Sequence, residues 1–201
     1  MAKRALDIAF GGFGLIVSAP LWLVIAAAVK LHDGGPVFYG QPRLGQRGRI
    51  FQVWKFRSMR PDAERETGPL QAAENDPRVT PVGRVLRATA MDELPQLWNI
   101  FCGDMSVVGP RALRPGEIDS ESGGEVVPAD AVDGFAERCA VRPGLTGLAQ
   151  LYAPRDVSRR SKFRYDRLYV RRQSFALDLR LIAVSFWISL RGSWEGRERK
   201  F

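Results

Sequence analysis

Between Ile8 and Val29 the chain runs for 22 residues without a charged side chain, IAFGGFGLIVSAPLWLVIAAAV, and this stretch constrains the fold more than any other. Eighteen or more consecutive apolar residues ordinarily read as a helix that crosses a bilayer. A cleaved signal peptide could begin at Lys3-Arg4, but the apolar run is long and Asp33-Gly34-Gly35 is a poor cleavage site, so the segment is expected to be retained. Pro20 lies in its middle. Proline removes a backbone donor and clashes with the carbonyl four residues back, which predicts a kink between Ile16 and Pro20. Gly11, Gly12 and Gly14 loosen the first arm, and the Ser18 hydroxyl can satisfy one of the freed backbone groups. Each arm of about ten residues reaches ~15 Å, half of a ~30 Å hydrocarbon core. Both flanks are basic, Lys3 and Arg4 before and Lys30, Arg43, Arg47 and Arg49 after, so the charge rule does not ask for ends on opposite sides. Two arrangements remain open: a re-entrant helix dipping into one leaflet, and a Pro-kinked single span.

A chain of 201 residues is one globular unit by default. Its scarce residues exclude whole chemistries. His32 is the sole histidine, which removes His-built metal sites and Ser-His-Asp triads. Cys102 and Cys139 are far apart and lack metal-ligand spacing, as expected of two reduced, buried thiols in a protein facing the cytoplasm. Catalysis must therefore come from carboxylates, Arg and Lys, hydroxyls, or a metal held by oxygen. Lys plus Arg number 30 against 22 acids, a net charge of +8, which points to an anionic partner: nucleic acid, nucleotide phosphates or acidic lipid.

Past the apolar segment, Asp33-Gly34-Gly35-Pro36 is turn chemistry. Val37-Phe38-Tyr39 and Ile50–Phe56 are β-prone runs that predict a short hairpin. Residues 60–77 read as a mobile loop with a short helix. Val82–Thr89 predicts a helix with Val82, Val85 and Leu86 on one face, and a second helix is expected from Asp92 to Phe101, ended by Gly103. Residues 115–133 are acidic and Gly-rich, which suggests a surface insertion. A basic helix is expected over Ser158–Arg172. An amphipathic helix over Phe175–Leu190 would pack in the core or lie on the membrane surface.

Asp92-Glu93-Leu94-Pro95 opens the second of these helices, where proline is tolerated because first-turn amides lack partners. The acids could simply complement the helix dipole. In the alternative, Arg87 upstream and Arg111 downstream offset charge repulsion, one carboxylate attacks phosphorus, and its neighbour holds Mg²⁺. Lys55-Phe56-Arg57-Ser58 at a strand end could hold a phosphate or be a solvated hairpin edge, and Gly109-Pro110-Arg111 is a rigid turn presenting one arginine. The run Arg155, Arg159, Arg160, Lys162, Arg164, Arg167, Arg171 and Arg172 would attract an acidic membrane or nucleic acid equally well.

Taken in order, these motifs resemble the bacterial sugar transferases, specifically the small monotopic phosphoglycosyl transferases. The likeness rests on the broken apolar helix, Gln41-Pro42-Arg43-Leu44-Gly45, KFRSM at 55–59, DPRVTPVGRVLR at 76–87, DELPQLWN at 92–99, GDMSVVGPR at 103–111, RPGLTGLAQ at 142–150 and Tyr165-Asp166. The resemblance implies an enzyme on the cytoplasmic face of the bacterial inner membrane, with membrane lipids around it. It implies transfer of a sugar-1-phosphate from a UDP-sugar to polyprenol phosphate, with UMP leaving. Asp92 would be the nucleophile, Glu93 and Asp92 would bind Mg²⁺, and Glu93 could instead assist the second step. Lys55, Arg57, Arg87, Pro110, Arg111 and Arg142 would meet the nucleotide and phosphates, while Ser18 and Pro20 would break the membrane helix. The implied fold is α+β and mostly helical: a re-entrant helix–break–helix over 1–33, then a catalytic domain over 34–201 with a short β-hairpin and interfacial amphipathic helices. Nucleic acid is not an implied partner, and a homo-oligomer is compatible. Departures from the family pattern are Ala112 after the GPR turn, Ala19 before Pro20 with Ser18 one step back, and Leu-Tyr-Ala-Pro-Arg after Gln150.

Overall fold

The computed structural model describes residues 2–63, 76–116, 118–120, 126–154, 157–191 and 194. It is a mostly helical α+β fold. The apolar segment forms helix α1, Ala2–Asp33, with Pro20 inside it. The helical assignment runs through the proline. The local bonding accounts for this. Proline deletes only one donor, and the Ser18 hydroxyl donates to the Gly14 carbonyl at 2.6 Å while accepting from Trp22 Nε1 at 3.0 Å.

Helix α1 is fastened to the rest of the protein along its length. Near its start, Lys3 Nζ donates to Asp178 Oδ2 at 2.7 Å, and to the Tyr169 hydroxyl and the Val108 carbonyl, each at 3.0 Å. Arg4 donates to the carbonyls of Ile100 and Phe101. Asp7, 1% exposed, accepts from Ser106 Oγ and the Val107 amide. Gly11 allows close approach of the chain at 97–101, since a Cβ there would lie 3.2 Å from the Leu97 oxygen and the Phe101 nitrogen. Further along, Ile25 and Val29 are buried with Phe56 and Leu86. The opposite face is bare: Phe13, Ile16, Val17, Leu23, Val24 and Leu31 are 61% to 86% exposed. A 32-residue helix whose most apolar 18-residue window is only 11% buried has the length and composition to enter a membrane.

Strands β1 (Phe38–Leu44) and β2 (Ile50–Phe56) pair antiparallel, Phe38 opposite Phe56 and Leu44 opposite Ile50, as the expected hairpin. Helix α2 (Pro81–Ala88) starts from Thr80, whose hydroxyl accepts the Gly83 amide at 2.9 Å. Gly83 and Leu86 are its buried positions; Val85 faces out at 63% exposure, against expectation. A Cβ on Gly83 would lie 1.9 Å from the Ser58 carbonyl, so the α2 backbone rests directly on the chain leaving β2. Helix α3 (Gln96–Cys102) ends at Gly103 in the left-handed region (φ 97°) and leaves Cys102 exposed, while Cys139 is half-buried, so the two thiols are free but not buried as expected.

A parallel pair follows that the sequence did not announce: β3 (Ser106–Val108) lies beside β6 (Gly144–Thr146). Between them come β4 (Ile118–Ser120) and β5 (Val126–Pro128), an antiparallel pair in the described part of the acidic insertion, and helix α4 (Phe135–Cys139). Residues 64–75 and 121–125, which carry much of the expected loop and insertion, lie outside the described residues. Helices α5 (Leu148–Tyr152), α6 (Arg159–Arg172, capped by Ser158) and α7 (Phe175–Arg191) complete the chain. Helix α7 packs into the core on one face, the first of the two expected alternatives, and leaves another face bare. Leu181 and Ile188 are fully buried in the main core with Ile100 and Val108, each such side chain contributing about 1.5–3 kcal/mol, while Phe186, Trp187 and Leu190 are exposed.

Candidate active site

Asp92 and Glu93 sit before α3 rather than in its first turn. Ala90 takes a left-handed conformation (φ 57°), and Met91–Glu93 form one 3₁₀ turn. The Glu93 amide donates to Ala90 O at 3.1 Å, Leu94 to Met91 O at 3.3 Å and Leu97 to Leu94 O at 3.0 Å. Proline at 95 cannot donate back to residue 91, so an α-helical ladder through 92–96 would lack a bond and the tighter three-residue pattern takes its place. The sequence-based start of the helix at Asp92 is thereby corrected to Gln96. The acidic pair does not complement a long helix dipole, which removes the simplest non-catalytic explanation for it.

The pair is buried and sits among cations. Asp92 is 7% exposed. Lys55, near the end of β2, hydrogen-bonds Glu93 Oε1 directly and lies 4.0 Å from Asp92 Oδ2; Arg111 Nη2 stands 3.9 Å from Glu93 Oε1. Burial pushes the Asp92 carboxyl up to about 6, with Glu93 adding to the rise and Lys55, Arg87 and Arg111 opposing it. Burial acts on Glu93 in the same sense, but Lys55, Arg111 and Arg43 outweigh it and hold that carboxyl at about 2. Two adjacent acids thus differ widely in basicity, the pattern by which sites divide roles between carboxylates.

The arginine turn is built by backbone contact. Gly109 N donates to Thr146 O and Gly144 N to Pro110 O, both at 2.8 Å. A Cβ on Gly144 would fall 2.0 Å from Gly109 N, and one on Gly147 2.2 Å from Gly109 O. Only glycines permit that crossing, which presents Arg111, more than half exposed on its side chain, to the carboxylates. Arg138 and Asp166, both buried and ion-paired at 3.1 Å, hold the turn from behind. Arg138 Nη2 donates to the Arg111 carbonyl at 2.5 Å.

Of the residues singled out from sequence, Lys55, Arg87, Asp92, Glu93 and Arg111 come together on one cavity of about 1630 Å³. Arg57 borders it, but its guanidinium is committed elsewhere: it forms a two-pronged pair with Asp33 and donates to the Pro36 carbonyl at 2.6 Å. Its evident work is to fasten the end of α1 to β2. Pro110 shapes the turn behind Arg111, and Arg142 does not border the cavity. Ser18 borders it from α1, and Pro20 is exposed. Sequence reasoning missed Arg43, which donates to the Ala112 carbonyl at 3.0 Å and bears on Glu93. It also missed the Arg138–Asp166 pair. Both signals were present, in the QPRLG and Tyr165-Asp166 motifs, but neither declares a role without its neighbours in space.

The cavity has two kinds of wall. Phe10, Phe13 and Val17 of α1 face it along with Phe186 and Leu190 of α7, while its other lining includes Arg114, Arg159 and Lys162. Such a site can bind a polyanion beside an apolar chain.

A sequence profile for the family described as bacterial sugar transferase matches residues 1–192. The chain is 42% identical over 196 residues to the exopolysaccharide production protein ExoY of Rhizobium meliloti, covering 90% of this chain and 82% of that one. It is 42% identical to the exopolysaccharide production protein PSS of Rhizobium leguminosarum, covering 90% of each. It is also 42% identical over 188 residues to a UDP-glucose:undecaprenyl-phosphate glucose-1-phosphate transferase of Klebsiella pneumoniae, covering 91% of this chain and 39% of that longer protein.

Proposed function

The chain belongs to the bacterial sugar transferases, and on that premise we propose that it transfers a sugar-1-phosphate from a UDP-sugar to polyprenol phosphate, releasing UMP, as the first membrane step of polysaccharide synthesis. Relatives named as glucose-1-phosphate and galactose phosphotransferases acting on undecaprenyl phosphate make a UDP-hexose the first donor to try. The observation that carries the reading is the buried Asp92, kept basic by its burial while Lys55, Arg87 and Arg111 supply positive charge around it.

The roles follow from the charges. Burial lifts the Asp92 carboxyl above the ordinary aspartate range, so as a carboxylate it retains more basicity than an ordinary aspartate. It attacks the phosphorus that carries the sugar. A P–O bond forms to Oδ, the P–O bond to UMP breaks, and that electron pair leaves on UMP. A phosphate oxygen of the polyprenol phosphate then attacks the same phosphorus and the Asp92 carboxylate departs, regenerated. Lys55, Arg87 and Arg111 offset the charge of the diphosphate, the electrostatic stabilisation on which phosphoryl transfer mostly depends. Glu93, held ionised, is the poorer nucleophile and an oxygen donor suited to Mg²⁺, which takes one or two carboxylates and completes its shell with substrate phosphates and water. Bound there, the ion would neutralise charge on the donor diphosphate.

The fastening of α1 supports a monotopic placement at the cytoplasmic face. Lys3 and Arg4 at one end and Asp33 at the other all bond to the same body of the protein. A spanning helix would put ~30 Å of hydrocarbon between those ends. An arrangement with both ends at one face keeps the bonds and leaves the bare side of α1 to the lipid.

The test is UMP release by the full-length protein in lipid nanodiscs, over a panel of UDP-sugars with undecaprenyl phosphate. Asp92→Asn should abolish it, and intact mass without lipid acceptor should show a hexose-phosphate adduct on the native chain alone. An Asp92→Asn variant that turns over at the native rate would falsify the mechanism.

A further inference from the structure

Asn99 lies in the middle of α3, 3% exposed, with its side chain turned to the free edge of β2 rather than to any substrate-facing surface. Its Nδ2 donates to the Gln52 carbonyl at 2.7 Å, and its Oδ1 accepts the Trp54 amide at 3.2 Å. Those are the two backbone groups that a third strand would have engaged, because the other edge of β2 is taken by β1. One carboxamide therefore stands in for a residue of a neighbouring strand, with both its donor and its acceptor used.

The placement matters because of what lies on either side. Trp54 is followed directly by Lys55, whose ammonium bonds Glu93 and approaches Asp92. Asn99 is carried by the helix that continues from the turn bearing both acids. On the β2 side, the chain beyond Phe56 leads to Arg57 and so to the end of α1. Building on the phosphoryl-transfer reading of the site, we infer that Asn99 is a positioning residue: its carboxamide sets the register between strand β2 and helix α3 that places the Lys55 ammonium against the Asp92–Glu93 pair. It touches neither substrate nor the reacting atoms. A one-residue slip along β2 would put Lys55 on the opposite face of the strand and leave the pair without its nearest cation.

The physical case rests on directionality. Apolar contacts between α3 and β2 hold the two elements together but tolerate sliding, whereas two hydrogen bonds from one planar amide to residues two apart fix both distance and register. Asn99 is buried and both bonds are part-buried, so losing them leaves a strand amide and carbonyl without their protein partners. Misplacing a charged group by about 1 Å commonly costs on the order of 100-fold in rate when it stabilises a transition state.

The experiment compares Asn99→Ala, Asn99→Asp and Ile100→Ala with the native full-length protein in nanodiscs, using two readouts. The first is mass-spectrometric labelling of lysines by acetic anhydride, which needs no turnover. Lys30 serves as the exposed reference, and Lys3, held by Asp178 and the Tyr169 hydroxyl rather than by β2 or the acidic pair, reports on global loosening. Labelling of Lys55 is expected to rise at least three-fold in Asn99→Ala with Lys3 unchanged, and to a lesser degree in Asn99→Asp, which keeps the acceptor for Trp54. Ile100→Ala, a cavity in the same helix, should leave the Lys55-to-Lys3 ratio alone. The second readout is kinetic. Asn99→Ala should lower kcat 10- to 100-fold with KM for the UDP-sugar within three-fold, and should cost less than three-fold more when made on Lys55→Met. Unchanged Lys55 labelling, or Lys55 and Lys3 rising together, overturns the inference, and so does an equal kinetic loss in the Lys55→Met background. If no UDP-sugar yields UMP, the functional reading fails while the labelling ratio still decides the role of Asn99.

Discussion

Replacing Asp92 with asparagine should make the protein inactive and more stable, and the size of the gain can be worked from the site. Burial raises the carboxyl from its usual 3.8 to about 6. At pH 7 the unfolded chain carries this group ionised at little cost, whereas the fold must hold the charge in a site 7% exposed. Raising a carboxyl by that amount corresponds to about 3 kcal/mol against the ionised form at neutral pH. Asparagine resembles the neutral acid in shape, so Asp92→Asn should recover up to about 3 kcal/mol, less whatever its new amide protons fail to bond. For a chain of this length, that is about 6–12 °C in Tm. The pH dependence gives the reasoning its sharpest edge. A folded-state carboxyl raised above its unfolded value favours the protonated form, so native stability relative to the variant improves as pH falls through about 6 and the two converge below about 4. Thermal unfolding of both proteins in the same nanodiscs, from pH 4 to 8, reads this directly. A variant no more stable than the native protein at pH 7, or a gap that does not change with pH, refutes the account of Asp92.

Three further outcomes are expected. The kcat/KM for the UDP-sugar should rise with pH through an apparent value of about 6, as Asp92 loses its proton, and the Lys55→Met variant should shift that limb upward because Lys55 opposes the rise; a stopped UMP assay across pH measures both. Gly144→Ala should abolish folding or cost more than about 3 kcal/mol, since the new Cβ meets the Gly109 nitrogen at 2.0 Å, and recovery of well-behaved native-like protein after purification would contradict it. Asp33→Asn should destabilise by about 1 kcal/mol, because the buried Arg57 guanidinium loses its counter-charge while solvent around the exposed Asp33 moderates the loss, with the KM for the UDP-sugar unchanged; a large rise in KM at unchanged Tm would return Arg57 to the substrate.

What could be read from the chain divides along physical lines. Periodic or punctuated segments were legible: α6 and α7 begin and end within a residue or two of their expected limits, because Ser158 caps the first, a basic helix, and the second is a long apolar run. The β1–β2 hairpin was legible from β-branched and aromatic residues. The parallel β3–β6 pair was not, since each strand is three residues long and the pairing depends on three glycines meeting across about 35 residues of chain. The same distinction applies to the site. Asp92, Glu93 and Arg111 stand in motifs whose residue types allow phosphate chemistry, and it is the order of the motifs along the chain that favours it over simple complementation of a helix dipole. Arg57 occupies such a motif too, yet its neighbour in space is Asp33, and no spacing rule reveals that. Arg43, Arg138 and Asn99 act through backbone carbonyls and amides, partners that have no letter in a sequence.

Helix α1 supplies part of two apolar clusters as well as a buried acid that seats β3. Anchor and enzyme are therefore one folding unit, and trimming the first thirty-odd residues to obtain a freely soluble catalyst would remove a wall of the reaction chamber along with the attachment. On the monotopic placement proposed above, the depth of the carboxylates below or above the phosphate plane would for the same reason be built in rather than adjusted. It is set by side chains packed on a single rod, and any amphiphile that strips the rod away should extinguish turnover before it unfolds the strands.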